Sequence, residues 1–412
     1  MLRWTARTLL PAFVLTLGVA PAPARADAEK EALANRLRAV EDELAALRGQ
    51  IATSSEEDAK ARERGAMVTA DGQGFQIRSR DEKTFRLRLR GYVHSDGRFF
   101  TEEGDRSNSD SFSMRRVRLN FEGTLFENVD FRVMPDWGGG SATLFDAYLN
   151  LRYWDFAQLQ SGKYKAPFGL ERLQSATALT FIERGLPTEV VPNRDVGLML
   201  HGAVREGLFE YQLALMNGVS DGGSGDGDSN DGKDFVARLF AHPFRETTLA
   251  PLHGLGLGFA VAAGDQDGPA GTNYRTAGRN SFFRYASGTE EHGVRLRFSP
   301  QAYWYWGPFG LLFEWVRSSP ELSRNGVNAE PDITSWQIAA SYVLAGESRT
   351  FRGVTPASSF KPDGSGWGAW EIAARYGQLE IDDEVFDRGF ADLASQAREA
   401  AAWALRPNWY GN

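Results

Sequence analysis

From about Phe75 onward, apolar and polar residues alternate with a period of two, and stretches of this kind recur along the rest of the chain. The clearest is TFRLRLRGYV at 84–93, where Phe85, Leu87 and Leu89 share one face of a strand and Arg86, Arg88 and Arg90 share the other. Such patterns predict fourteen strands between residues 83 and 380. Very short turns such as Glu127-Asn128 and Trp306-Gly307-Pro308 join some of them, and long polar loops such as GVSDGGSGDGDSNDGKD join others. Short turns at one end and long loops at the other are the mark of a transmembrane β-barrel. A half-exposed soluble sheet with one basic face is the competing reading of the same alternation.

Upstream the period changes. Leu33, Leu37, Val40, Leu44, Leu47 and Ile51 follow spacings of four and three, the a/d seam of a short coiled coil. The pattern predicts a helix over 27–52 that associates with copies of itself, with a trimer expected and a lone amphipathic helix as the alternative. Residues 53–73 lack periodicity and read as a linker, which leaves 74–412 as the β body. Before the helix, Arg3 and Arg7 precede an apolar run from Leu9 to Ala20, and Ala24 and Ala26 have A-x-A spacing. Residues 1–26 therefore read as a cleaved secretory signal peptide.

Composition sharpens this picture. The 412 residues include 44 Gly, 27 Phe, 12 Tyr and 11 Trp, which suits a large all-β body with many turns. With no Cys, export brings no disulfides, so sheet pairing and packing must hold the fold. The formal charge of −8 argues against nucleic acid as a partner. Trp and Tyr gather near strand ends, as at Tyr303–Trp306, the placement favoured at a membrane interface.

Energetics then orients the arginines. One arginine facing lipid at mid-membrane costs about 2 to 4 kcal/mol, so three on one strand would cost roughly as much as a whole fold is worth. In a barrel, Arg86, Arg88 and Arg90 must face the lumen. The same parity sends Arg116 and Arg118 inward opposite Val117, Leu119 and Phe121, and Arg295 and Arg297 inward opposite Val294, Leu296 and Phe298. Arg115 has lipid-side parity and is expected at the interface. The parity of Lys163 and Lys165 is ambiguous, and Lys165 is preferred for the pore because it ends its strand.

Other chemistry is weakly signalled. The stretch from Asp226 to Asn230 resembles the start of an EF-hand loop, but the sixth position is Asp231 and the twelfth Ala237, not Gly and Glu. His94, His201, His242, His253 and His292 show no metal-ligand spacing, and neither a G-x-S-x-G elbow nor a P-loop occurs. No cofactor, metal or catalytic activity is expected. A secreted β-sandwich that binds carbohydrate through its tryptophans, and a barrel-embedded hydrolase, are the rival functions.

The stretches MRRVRLNFEGTLFENVDFRVMPDW, LFDAYLNLRYWDFAQLQSGKYKAPFGLERLQS and FIERGLPTEVVPNRDVGLML resemble the phosphate-selective porin O and P family of Gram-negative outer membranes. The resemblance covers roughly 75–410, and GKYKAPFGLER is its most specific segment. It implies a sixteen-stranded trimeric barrel, a third loop folded inward at the constriction, and arginines and lysines that guide anions such as phosphate or polyphosphate. It also implies that Arg115 and Arg116 match the family's paired arginines, that Lys163 and Lys165 open the long loop, and that Arg172, Arg184 and Arg194 stand at the loop's rim. One departure is Arg406-Pro407, which falls where the family has a small apolar pair inside a strand; by this comparison the closing strands are expected to be missing and the barrel truncated.

Overall fold

The computed structural model describes residues 23–411 apart from 72–73, 82, 102–108, 229 and 346. The signal-peptide reading lies, up to residue 22, outside the described residues. Two units follow, 1–65 and 66–412. In the first, α1 (Pro23–Arg64) is longer than its apolar seam. It continues through residues predicted as linker because Glu, Ala, Lys and Arg there favour helix without needing an apolar stripe. Leu33, Leu37, Val40, Leu44, Leu47 and Ile51 are all exposed on it.

The second unit is a seventeen-stranded antiparallel sheet with two small hairpins beside it. It opens with β1 (Ala66–Asp71), which lies in the predicted linker, paired with β2 (Gly74–Ser79) at the start of the predicted β body. There follow β3 (Phe85–Arg98), β4 (Ser111–Leu125), β5 (Val129–Asp136), β6 (Thr143–Trp154), β7 (Ala157–Lys165), β8 (Arg194–Val204), β9 (Phe209–Met216), β10 (Asp234–Ala241) and β11 (Leu255–Pro269). The small hairpin β12 (Asn273–Arg275) and β13 (Ser281–Arg284) precedes β14 (Glu290–Trp306) and β15 (Phe309–Arg324). Short β16 (Val327–Ala329) leads into β17 (Ile333–Val343), and the second small hairpin, β18 (Arg349–Thr350) and β19 (Gly353–Val354), precedes β20 (Ala369–Ile381) and β21 (Glu399–Tyr410). Each long strand pairs with the long strands before and after it, and among the described residues β1 and β21 pair along one edge only. The sheet is thus continuous rather than split into the two layers of a sandwich.

Two strand readings differ from the sequence pattern. Residues 291–299 and 301–306 form the single strand β14, because Pro300 sits where its ladder to β15 is interrupted between the Phe298–Arg317 and Gln301–Glu314 pairs. Pro407 likewise stays within β21, opposite Ile372, on a strand paired along one edge.

The two faces of the sheet are chemically distinct. Leu119, Leu149, Leu213, Phe259, Leu296 and Ile338 are exposed on one face, while Asn120, Asn150, Arg238, Arg297, Glu314 and Gln337 are buried on the other. Part of the polar face is covered by the segment 166–193 between β7 and β8. Gly169, at φ +79°, turns it into the one-turn helix α2 (Leu170–Leu173). The backbone N–H groups of Leu170 and Glu171 then donate to Glu314 on β15, at 2.6 and 3.3 Å. Farther along, Glu183 meets β4, and the Thr180 carbonyl accepts from Asn408 on β21 at 3.0 Å. One loop touches strands from both ends of the sheet, so the sheet curls around it.

The ends of the strands are less lopsided than predicted. Connections 242–254 and 344–368 are long, yet they lie at the same end as the short turns at 126–128 and 307–308. The second carries Arg349 onto the polar face, 3.0 Å from Glu371. Tyr153, Trp154, Phe156 and Trp306 are exposed at this end, and Trp306 stacks on Phe309.

Candidate functional site

Two β-bulges shape the polar face. In the β3–β4 ladder His94 pairs with Arg116 but Ser95 pairs with Met114, so Arg115 is an extra residue. Below the bulge the even positions Arg116, Arg118 and Asn120 are buried; above it Phe112 and Met114 are exposed. The extra residue exchanges the faces of the strand, and consecutive arginines thereby point the same way. Sequence parity, which assumes an unbroken ladder, had placed Arg115 on the opposite face. The doubled arginine in MRRV was the available sign of a bulge.

The second bulge lies on β6, where Met134 pairs with Asp146 and Pro135 with Leu144. Phe145 is the extra residue, and the guanidiniums of Arg118 and Arg194 lie 4.2 and 4.4 Å from its ring centre. Asp136 steadies the neighbourhood by accepting from the backbone N–H of Val117 and Gly138 and from Arg118 Nε, at 3.1, 2.8 and 2.7 Å. A Cβ on Gly138 would fall 2.6 Å from the Arg115 carbonyl oxygen, so this turn needs glycine.

Glu183 receives the paired arginines. Arg115 and Arg116 each donate to its Oε2 at 3.1 Å, and Arg98 lies 3.5 Å from its Oε1. Burial pushes the Glu183 carboxyl up, but the hydrogen bond and charge of Arg115, with Arg116 behind it, outweigh burial and hold it below the usual glutamate range. Asp96 lies 3.6 Å from Arg98 as well, so two carboxylates face three guanidiniums and one positive charge is left in excess.

Three more basic side chains lean on the loop without any carboxylate at ion-pair distance among the described residues. Lys165 Nζ donates to the Leu173 and Gln174 carbonyls at 3.2 and 2.8 Å, and Arg172 donates to the Thr188 carbonyl. Arg184 donates to the Glu171 and Gln174 carbonyls at 3.0 and 2.7 Å. Burial, and then the Arg172 charge, push Arg184 down to about 9, which leaves it cationic at neutral pH. Carbonyls satisfy the N–H groups but cancel no charge.

These groups surround two chambers. One, of about 340 Å³, is lined by Arg115, Arg116, Arg118, Arg172, Arg184, Arg194, Arg275 and Arg279, with Glu189 and Asp221 as its acids. The other, of about 450 Å³, is lined by Arg90, Arg118, Arg132, Lys165 and Arg194, with Asp146 and the phenols of Tyr92, Tyr148 and Tyr164. Arg118 and Arg194 belong to both. Both are carboxylate-paired, Arg118 to Asp136 at 2.7 Å and Arg194 to Asp146 at 2.8 Å.

Residues 85–412 match the family model described as phosphate-selective porin O and P. The chain belongs to that family. Among characterised proteins it is 25% identical over 390 residues to Porin O of Pseudomonas aeruginosa, covering 84% of this chain and 86% of that one. Among solved structures, the outer-membrane channel DcaP of Acinetobacter baumannii aligns with a TM-score of 0.49 at 11% identity, covering 82% of this chain and 88% of that one. The anion-selective porin from Comamonas acidovorans aligns with a TM-score of 0.45 at 13% identity, covering 72% and 79%. Membership in this outer-membrane porin family favours a channel over an enzyme.

The porin's sequence-derived residues divide into two groups. Arg90, Arg116, Arg118, Lys165, Arg172, Arg184 and Arg194 meet around the chambers. Arg86, bonded to Thr124 at 3.1 Å, and Arg88 lie on the same strand face as Arg90 but line neither chamber. Arg295 and Arg297 depart from the expected pathway lining: they are 2% and 0% exposed, and both donate to the Val219 carbonyl at 2.8 Å. Asp221, Asp234 and Glu291 complete their ion pairs. Both lie on the polar face of the sheet, and the loop 217–224 covers them. Arg115, which the resemblance names and parity places at the interface, joins the first chamber; Arg132, Arg275, Arg279 and Phe145 were missed, and Arg275 and Arg279 lie in a long loop without periodicity.

Proposed function

We propose that the chain spans the outer membrane as a β-barrel and conducts small anions, with phosphate or polyphosphate as the preferred cargo. The observation that carries this reading is the pair of arginines held by neutral groups: Arg172 and Arg184 bind only carbonyl oxygens. Their charge is left for a permeating anion, while carbonyl bonds keep them in place. Arg118 and Arg194, shared between chambers and paired with aspartates, form a contact between the two basins. The exposed apolar face would meet lipid, and Tyr153, Trp154 and Trp306 would sit at headgroup level.

Export by a cleaved signal peptide and assembly as a homotrimer belong to the same proposal. The exposed seam of α1, from Leu33 to Ile51, supports association with two copies of itself through a coiled coil. The test is reconstitution of purified protein in planar bilayers, with reversal potentials in a salt gradient and phosphate titrated against chloride current. Discrete steps with anion-directed reversal and phosphate block are expected. Cation-directed reversal, or a protein that extracts without detergent, would overturn the reading.

A further inference from the structure

Phe145 occupies a position that no strand alternation would have given it, and it does so where the two chambers meet. Its bulge turns the ring onto the polar face, where Arg118 and Arg194 both place their guanidiniums over it. Each guanidinium is then held along one edge by a different aspartate: Arg118 Nε by Asp136 and Arg194 Nε by Asp146. Arg118 Nη1 donates to the Tyr92 hydroxyl at 2.7 Å, and Arg194 Nη1 lies 3.3 Å from Asn193 Oδ1. The Nη2 group of each has no partner among the described residues and is not sealed from solvent. The junction therefore presents two free guanidinium N–H₂ groups on separate strands, β4 and β8, which share one ring.

We infer that Phe145 is a specificity-determining residue, a platform that holds the free edges of Arg118 and Arg194 in register so that one tetrahedral oxyanion can bridge them. This rests on the anion-channel reading above. An aromatic ring attracts both guanidiniums through its face while giving them no acceptor to consume an N–H. The aspartates pull each arginine toward its own strand, and without the ring each guanidinium is free to settle on its carboxylate. A spherical halide needs only local positive charge, whereas a hydrogenphosphate ion has several oxygens and gains from two donors at a fixed separation. Phe145 is thus expected to govern the preference for phosphate over chloride more than the preference for anions over cations, which Arg172 and Arg184 supply.

The experiment measures block of chloride current by inorganic phosphate and by sulfate in planar bilayers, for the unchanged protein, Phe145→Leu and Phe145→Trp. The half-blocking phosphate concentration should rise about tenfold in Phe145→Leu, with the chloride-to-potassium permeability ratio nearly unchanged, and Phe145→Trp should restore block. A Phe145→Leu channel blocked like the unchanged protein overturns the inference, as does loss of block that Trp does not restore. If Phe145→Leu forms no channels, Arg118→Lys, which removes the planar group, is read in its place; undiminished block there overturns the inference too. Failure of the unchanged protein to select anions would sink the function reading itself, so the two failures are told apart by that first recording.

Discussion

Arg116 Nη2 donates to Glu183 Oε2 at 3.1 Å across 67 residues of sequence, and this contact joins β4 to the loop that fills the polar face of the sheet. Glu183 is held below the ordinary glutamate value of about 4.3 by Arg115 and Arg116. A depressed carboxyl contributes fully above its ordinary value, and the contribution is lost as pH falls through the lowered one. Channel recordings should therefore be steady from pH 7 to about 4.5 and grow noisy only below that window. Glu183→Gln should show the same noise at pH 7, because losing a charged acceptor weakens the anchor by about 2 kcal/mol. A quiet Glu183→Gln channel at neutral pH would mean that the loop is anchored elsewhere.

Selectivity provides the second prediction. Arg172 and Arg184 have no carboxylate at ion-pair distance among the described residues, so replacing them with Gln removes charge that no direct ion pair cancels. A unit charge about 4 Å from a monovalent anion in water is worth about 1 kcal/mol, close to fivefold in occupancy. Each substitution should lower the anion-to-cation permeability ratio by about that factor, read from reversal potentials. Arg132→Gln should do less, because Arg132 already faces Glu122 at 2.7 Å. Equal effects from all three would contradict the distinction between compensated and uncompensated cations.

Much of this arrangement was legible in the chain, and the failures have definite causes. Alternation with period two placed Arg90, Arg116 and Arg118 on the polar face because their ladders run unbroken below the β4 bulge. Arg115 and Phe145 escaped the rule because a bulged residue changes face, and a bulge depends on what the neighbouring strand offers. Arg295 and Arg297 obeyed the rule yet do not line a chamber, since their covering comes from Val219 and Asp221, more than seventy residues away in the chain. The helical continuation of α1 past residue 52 rests on propensity, which an analysis of apolar periodicity does not register.

The inserted loop should also be a stability element. Glu314 on β15 accepts both the Leu170 and Glu171 N–H groups, and Gln337 Nε2 lies 3.0 Å from Glu171 Oε2 beside it. Glu314→Leu would strand two buried donors, at about 1–3 kcal/mol each. The expected result is a lower unfolding midpoint in denaturant, followed by the shift of the folded band on unboiled gels, together with larger and more variable conductance steps. An unchanged midpoint would show that the α2 turn is held by packing alone.

Arg297 separates a pathway residue from a structural one. Its Nε lies 2.7 Å from Asp221 Oδ1, its Nη1 3.1 Å from Asp234 Oδ2, and its Nη2 donates to the Val219 carbonyl. Removing the guanidinium leaves two buried aspartates with less compensation, and breaking a buried pair in this way costs about 3–5 kcal/mol. Arg297→Gln should therefore lower stability strongly and release the loop 217–224, while channels that do form keep their anion-to-cation ratio. Asp221→Asn should release the same loop at smaller cost, since the amide oxygen can still accept from Arg297. The measurement is paired: denaturant unfolding, and reversal potential on the surviving channels. If Arg297→Gln instead lowered the permeability ratio as much as Arg184→Gln with stability intact, Arg297 would be lining the pathway, and the buried network from β14 to Val219 would have to open in the membrane.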